Sequence, residues 1–327
     1  MTTGQRTGED RAEDSVGTVD SRTPDEPRVD AAPQTGPRRN SVHAIIVAAR
    51  PHQWIKNVLV LAAPVLASKV TDTSVYVPTL IAFAAFCLAA SGIYFINDVR
   101  DIAEDRAHPR KRFRPIAAGE VSRVVAVQIG CLLLVAALLL TLLATWQLLA
   151  VIATYEAVSL VYCLALKDEP VIDIAIIASG FLLRTVAGGS ASGIALSHWF
   201  LLAAAFGSLF MAAGKRYAEA VAFGPGESET RRSLSRYSAT YLRFVWSVSA
   251  AVLIMTYGLW AFEVRTETSV PWAAISMAPF VLAVLRYAVD VDAGRAGEPE
   301  DIALSDRVLE GLALVWLVFV ALSVYGP

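Results

Sequence analysis

Asn97, Asp98, Asp101 and Asp105 stand where a long apolar segment gives way to a charged one, in the run Ser91-Gly92-Ile93-Tyr94-Phe95-Ile96-Asn97-Asp98-Val99-Arg100-Asp101-Ile102-Ala103-Glu104-Asp105. On a helix of about 100° per residue, Asp101, Asp105 and Asp98 fall roughly 40°, 80° and 100° from Asn97, so the four share one face over about two turns. Carboxylates gathered at one level repel one another unless a cation sits between them. A set of hard oxygen donors favours Mg²⁺, which keeps part of its water and completes its shell with phosphate oxygens. The pattern reads as a Mg²⁺-diphosphate site, with Asn97 and Asp101 as metal ligands and Asp98, Asp101 and Asp105 as the carboxylates of a catalytic centre. The alternative is a solvated helix end whose acids pair with Arg100 and Arg106. The asparagine, the fourfold spacing and the place at a membrane edge favour the site.

Apolar helices must carry that cluster. The chain has 327 residues, 55% of them hydrophobic, and a net charge of −2; its mean hydropathy of +0.52 exceeds that of ordinary soluble domains. Stretches long enough to cross a bilayer are read at 54 to 69, 77 to 98, 121 to 143, 146 to 166, 171 to 190, 198 to 214, 243 to 263, 271 to 289 and 306 to 325. The fold class is therefore an all-α polytopic membrane bundle of about nine helices. Residues 1–40 are proline-rich and charged, and are expected to form a disordered cytoplasmic tail ahead of a membrane domain over 41–327. No charged stretch followed by a short apolar run precedes that domain, so the tail is expected to be retained.

Basic residues concentrate in alternate connections. Arg100, Arg106, Arg110, Lys111, Arg112, Arg114 and Arg123 follow the second span, and Lys215, Arg216, Arg231, Arg232 and Arg236 follow the sixth. The positive-inside rule then places the N-terminus and the connections after spans 2, 4, 6 and 8 in the cytoplasm, with the C-terminus outside. The site becomes a cavity facing the cytoplasm, in the plasma (inner) membrane. Cys87, Cys131 and Cys163 lie far apart inside spans and show no metal-ligand spacing, so packing is their expected role. His43, His52, His108 and His198 lack zinc spacing as well.

The acidic run resembles the first motif, NDxxDxxxD, of the UbiA-type intramembrane prenyltransferase superfamily, and the span count extends the resemblance over residues 41 to 327. Members normally carry a second acidic motif of the DxxYAxxD kind. Here the corresponding stretch, Met211-Ala212-Ala213-Gly214-Lys215-Arg216-Tyr217-Ala218-Glu219, keeps the Tyr-Ala pair but puts Lys215 and Arg216 just before it. A basic pair cannot ligate Mg²⁺ but can bind phosphate, lysine as a point charge and arginine as a fork. The segments Arg50-Pro51-His52-Gln53-Trp54-Ile55-Lys56-Asn57 and His108-Pro109-Arg110-Lys111-Arg112-Phe113-Arg114-Pro115 look like the decaprenyl-phosphate phosphoribosyltransferase branch. That resemblance implies transfer of phosphoribose from 5-phosphoribosyl 1-diphosphate to a polyprenyl phosphate, a step toward cell-wall arabinan. It also implies a homo-oligomer, with a trimer as the expected form, and no nucleic-acid partner.

Three phosphate-bearing groups then need positive charge beyond Mg²⁺. Lys56, Lys111, Arg112, Arg114, Lys167, Arg184, Lys215 and Arg216 are the expected substrate-binding cations, and Tyr94 is placed to donate to a phosphate or ribose oxygen. Lys167 also suits an interfacial anchor, and Arg184, deep in its span, also suits a bridge to Asp173 or to helix carbonyls. Asp173 is either a helix-start charge or an orienter of Lys167. The run Gly188, Gly189, Ser190, Ser192, Gly193 is read as a turn with close helix packing. Two other functions fit less well: a prenyltransferase of the same fold using a prenyl diphosphate donor and an aromatic or lipid acceptor, and a channel or secondary transporter.

Overall fold

The computed structural model describes residues 41–69, 71–167, 169–223, 237–263, 270–295 and 306–326, so the tail expected over 1–40 and the basic residues Arg231, Arg232 and Arg236 lie outside the described residues. The described residues belong to one compact unit, 37–327, and every element among them is helical. Helix α1 (Ser41–Ala49) leads into a 3-10 stretch, Pro51–Leu61, and the short α2 (Ala62–Leu66). Then come α3 (Thr73–Arg100), α4 (Ile102–Ala107), α5 (Arg123–Thr141), α6 (Trp146–Val161) with a π turn at Tyr162–Leu166, and α7 (Ile172–Ser192). The second half holds α8 (His198–Phe223), α9 (Ala239–Glu263), α10 (Trp272–Ile275), α11 (Met277–Asp292) and α12 (Arg307–Tyr325).

Seven of these helical segments are long and apolar enough to cross a membrane: α3, α5, α6 with its π turn, α7, α9, α10 with α11, and α12. The spans read at 54 to 69 and 198 to 214 correspond to the 3-10 stretch with α2, and to α8. Helix starts follow from local chemistry. Asp72, Ser122, Thr145 and Asp306 each accept a hydrogen bond from an amide of the first turn, at 2.9 Å from Ser74, 3.3 Å from Val125, 3.1 Å from Leu148 and 2.9 Å from Val308, which satisfies donors that have no partner within the helix.

Two close approaches set the bundle around the acidic motif. Helices α3 and α5 cross at facing glycines: a Cβ on Gly92 would sit 3.0 Å from the Gly130 carbonyl oxygen, and one on Gly130 would sit 3.0 Å from the Ile96 side chain. Small residues at such a crossing let backbones meet where lipid offers no hydrophobic drive. The 3-10 stretch buries Asn57 and Val60, three residues apart, as its period of three residues per turn requires, and Ala63 of α2 is buried after them. Trp54, one step earlier in that series, donates to the Ser91 hydroxyl at 3.1 Å. The Val60 carbonyl lies against Gly188 of α7, where any Cβ would overlap it.

Candidate functional site

Helix α3 ends at Arg100, and Asp101 takes φ −86° and ψ 9° between it and α4. The hydrogen-bond ladder still crosses the joint, with the Asp101 amide 2.9 Å from the Asn97 carbonyl and the Asp105 amide 2.8 Å from the Asp101 carbonyl. Asn97, Asp101 and Asp105 therefore stay on successive turns of one face. Asp98, Asp101 and Asp105 are 1%, 7% and 2% exposed, so each carboxylate needs a partner.

Each has one, from a different part of the chain. The Lys167 ammonium lies 2.6 Å from Asp101 and 3.5 Å from Glu104. Arg114 donates to Asp105 at 2.8 Å and to Asp98 at 3.4 Å, and Arg50 donates to Asp98 while its guanidinium covers the Tyr94 ring at 4.8 Å. Asn97 joins the group twice: its Nδ2 donates to Asp101 at 3.2 Å, and its Oδ1 accepts from the Cys163 thiol at 3.5 Å. Burial pushes the Asp105 carboxyl above its ordinary pKa, against the opposing pull of Arg114.

Local backbone features aim these cations. Arg50 adopts the left-handed conformation, φ 54°, between α1 and the 3-10 stretch, and the adjacent Ala49 carbonyl accepts from Ser91 at 2.9 Å. The wide π turn before Lys167 brings Cys163 and Lys167 onto the side that meets Asn97 and Asp101, the kind of helix irregularity found often at functional sites. In the connection before α5, His108 Nδ1 accepts the amides of Arg110 and Lys111 at 3.1 and 3.3 Å. Burial and the neighbouring Lys111 lower the His108 pKa, which keeps this nitrogen an acceptor.

The remaining expected cations divide into two groups. Lys56 and Lys215 are half-buried, as is Lys111 at the head of a 3-10 turn, while Arg112 is exposed with its guanidinium 4.8 Å over the Phe113 ring. Arg184 and Arg216 are fully engaged by protein groups. Arg184 donates to Asn57 Oδ1 at 2.7 Å, to the Gly180 carbonyl at 2.7 Å and toward the Tyr155 hydroxyl at 3.4 Å. Arg216, 1% exposed, donates to Asp173 at 2.8 Å and to Glu219 at 2.6 Å.

Residues 58–305 match the UbiA prenyltransferase family. The chain belongs to the UbiA prenyltransferase family. It is 50% identical over 308 residues to the decaprenyl-phosphate phosphoribosyltransferase of Mycolicibacterium smegmatis, across 90% of this chain and 97% of that protein. It is 51% identical over 294 residues to the protein of the same name from Mycobacterium tuberculosis, across 89% of this chain and 97% of that one. Its fold is that of a UbiA homolog from Archaeoglobus fulgidus solved with DMAPP and Mg²⁺, with a TM-score of 0.67 at 15% identity over 85% of this chain and 96% of that chain.

In this UbiA chain the structure gathers Asn97, Asp98, Asp101 and Asp105 with Arg114, Lys167 and, through Arg50, Tyr94. At Arg184 and Arg216, carboxylate, amide, carbonyl and phenol groups of the protein meet the guanidinium nitrogens. Three participants escape the sequence. Arg50 lies in a segment of interest there, but its left-handed backbone leaves no trace in residue types; Cys163 carries only a packing expectation, and Glu219 stands only as a member of a motif. Asp173, open between two roles in the sequence, meets Arg216 and Tyr237 in the first turn of α7.

Proposed function

We propose that this protein transfers 5-phosphoribose from 5-phosphoribosyl 1-diphosphate to decaprenyl phosphate or a similar polyprenyl phosphate, releasing diphosphate. The observation that carries this reading is the 50% identity, over nine-tenths of the chain, with a protein whose name states that transfer. The acidic turn supports it with a buried cluster of oxygen donors flanked by lysine and arginine, the chemistry that phosphate groups and a hard cation require.

The donor set fits Mg²⁺. Asn97 and Asp101 offer an amide oxygen and a carboxylate on side chains that already meet, with Asn97 Nδ2 3.2 Å from Asp101 Oδ2, and Asp98 and Asp105 add carboxylates from the same two turns. Among the described residues no group of three or more His, Cys, Asp or Glu side chains is drawn together around one point; instead, lysine and arginine neutralise the acids one by one. Asn97 and Asp101 would hold the ion, with Asp98 and Asp105 bound directly or through water. Bound there, Mg²⁺ supplies positive charge to a departing diphosphate.

The protein's own residues account for the rest. Lys167 and Arg114, fixed against the acids, stand ready to bind phosphate oxygens, with Lys56, Lys111, Arg112 and Lys215 adding charge and Tyr94 a hydroxyl. The acceptor phosphate is anionic near neutral pH, so no side chain has to remove a proton from it. Its oxygen attacks the ribose C1 as the bond to diphosphate breaks, with oxocarbenium-like charge on the sugar, and direct displacement inverts that carbon. Arg184 and Arg216 act as struts that hold helices rather than as phosphate ligands.

The same reading carries nine crossings of the plasma membrane with the site facing the cytoplasm, and assembly as a homotrimer. Diphosphate release by the purified protein in detergent is expected only when 5-phosphoribosyl 1-diphosphate, decaprenyl phosphate and Mg²⁺ are present together. Release from a prenyl diphosphate with an aromatic acceptor, and none from the phosphoribosyl donor, would overturn the assignment.

A further inference from the structure

Lys167 caps the π turn with helical φ −59° and ψ −29°, at the head of the connection to α7, and its amine meets Asp101 at 2.6 Å. Its neighbours on both sides are tied down. The Glu169 amide bonds the Leu166 carbonyl at 3.2 Å and the Asp173 amide bonds the Glu169 carbonyl at 3.1 Å, which links the connection step by step to the start of α7. Between them Val171 adopts φ 70° and ψ −48°, a sparsely populated backbone state that is unfavourable for a β-branched residue and persists only where the surroundings enforce it.

Tyr237 bonds this residue directly. Its hydroxyl accepts the Val171 amide at 2.5 Å and donates to Asp173 Oδ1 at 2.5 Å. Burial and then the hydrogen bond to Asp173 hold this hydroxyl protonated far above the ordinary tyrosine range, so it remains a donor at any working pH. Asp173 is 0% exposed, and its second oxygen accepts Arg216 Nε at 2.8 Å. Arg216 Nη1 continues to Glu219 at 2.6 Å, and its Nη2 faces the hydroxyl of Tyr162, the first residue of the π turn, at 3.4 Å. One buried group of phenol, carboxylate and guanidinium therefore grips the chain five residues before Lys167 and four residues after it.

We infer that Asp173, Arg216 and Tyr237 are positioning residues that fix Lys167 against Asp101; as a statement about catalysis, this rests on the phosphate-binding role of Lys167 proposed above. A buried ion pair adds little to net stability but can fix one arrangement among several, and a lysine at a helix end that must meet a phosphate within an ångström needs such fixing.

Tyr237→Phe keeps the ring and removes the one hydroxyl that joins Val171 to Asp173. Modification of Lys167 by acetic anhydride, quantified by mass spectrometry on the full chain in detergent, reads the clamp without reference to activity. Lys167 is 9% exposed; its modification is expected to be slow in wild type and roughly tenfold faster in the variant, the shift that one lost hydrogen bond produces, with Lys215 unchanged. Equal Lys167 labelling in the two proteins would overturn the inference, whatever the transfer activity.

In the transfer reaction at subsaturating donor, Tyr237→Phe is expected to lower the rate about tenfold in wild type and not at all on a Lys167→Ala background. Losses that multiply would mean a packing role that does not act through Lys167. Asp173→Asn, which keeps the shape and removes the charge, is expected to give the same pattern and serves if Tyr237→Phe does not accumulate. A labelling difference in a protein that transfers no phosphoribose would leave the clamp standing and refute the assigned function instead.

Discussion

Asp101 is where the contacts of the site converge: it receives the Lys167 ammonium at 2.6 Å and the Asn97 amide at 3.2 Å, and its backbone carries the ladder from α3 into α4. Removing its carboxylate while keeping the backbone separates the chemical role from the structural one. Asp101→Ala is expected to lower turnover by about 10²- to 10³-fold, comparable to loss of one preorganised charge-stabilising group, with the thermal unfolding midpoint in detergent little changed. EDTA is expected to abolish wild-type turnover and Mg²⁺ to restore it; turnover indifferent to EDTA would remove the metal from the site. The spacing of Asn97, Asp101 and Asp105 was legible in the sequence because four residues is close to one helical turn. Arg50 was not, since its meeting with Asp98 spans 48 positions and depends on a backbone conformation that residue type does not signal.

At the scale of elements, the segment from Pro51 to Leu66 reaches further than an α-helix of the same residue count. A 3-10 stretch rises about 2.0 Å per residue and an α-helix about 1.5 Å, so its 11 and 5 residues together cover about 30 Å, close to the apolar thickness of a bilayer. Its register depends on Gly188, which leaves room for the Val60 carbonyl. Gly188→Ala is expected to destabilise the protein by about 1 to 3 kcal/mol through overpacking, seen as a lower unfolding midpoint, whereas Gly311→Ala, at a position open to space, is expected to leave it unchanged. Equal midpoints for the two variants would contradict that packing. Most spans were legible from apolar length, and the 146 to 166 reading coincides with Trp146–Leu166. The 3-10 stretch and the π turn were not: their departures from α geometry go with tertiary contacts, Asn57 with Arg184 and Cys163 with Asn97, between residues far apart in the chain.

Across the described residues, seven long apolar helices accompany a small number of buried ionic groups, of which Asp98, Asp101, Asp105 and Asp173 each meet a cation from elsewhere in the chain, Arg184 is held by an amide, a carbonyl and a phenol, and Glu156 keeps one carboxyl oxygen without a partner. Intramembrane charge is tolerated on such terms and marks function. The Lys215 and Arg216 pair, read in the sequence as a single phosphate-binding unit, is divided in the fold: Arg216 turns inward to Asp173 and Glu219, and Lys215 is half-buried beside it. That division was invisible in the sequence because Asp173 is 43 positions away. The donor assignment is tested most directly by following where the sugar goes. Purified protein in detergent, given decaprenyl phosphate, Mg²⁺ and 5-phosphoribosyl 1-diphosphate labelled with ³²P in its 5-phosphate, is expected to yield label that extracts into organic solvent and is released as phosphoribose by mild acid. Label that stays wholly in the aqueous phase, while a labelled prenyl diphosphate is consumed by the same preparation, would contradict it.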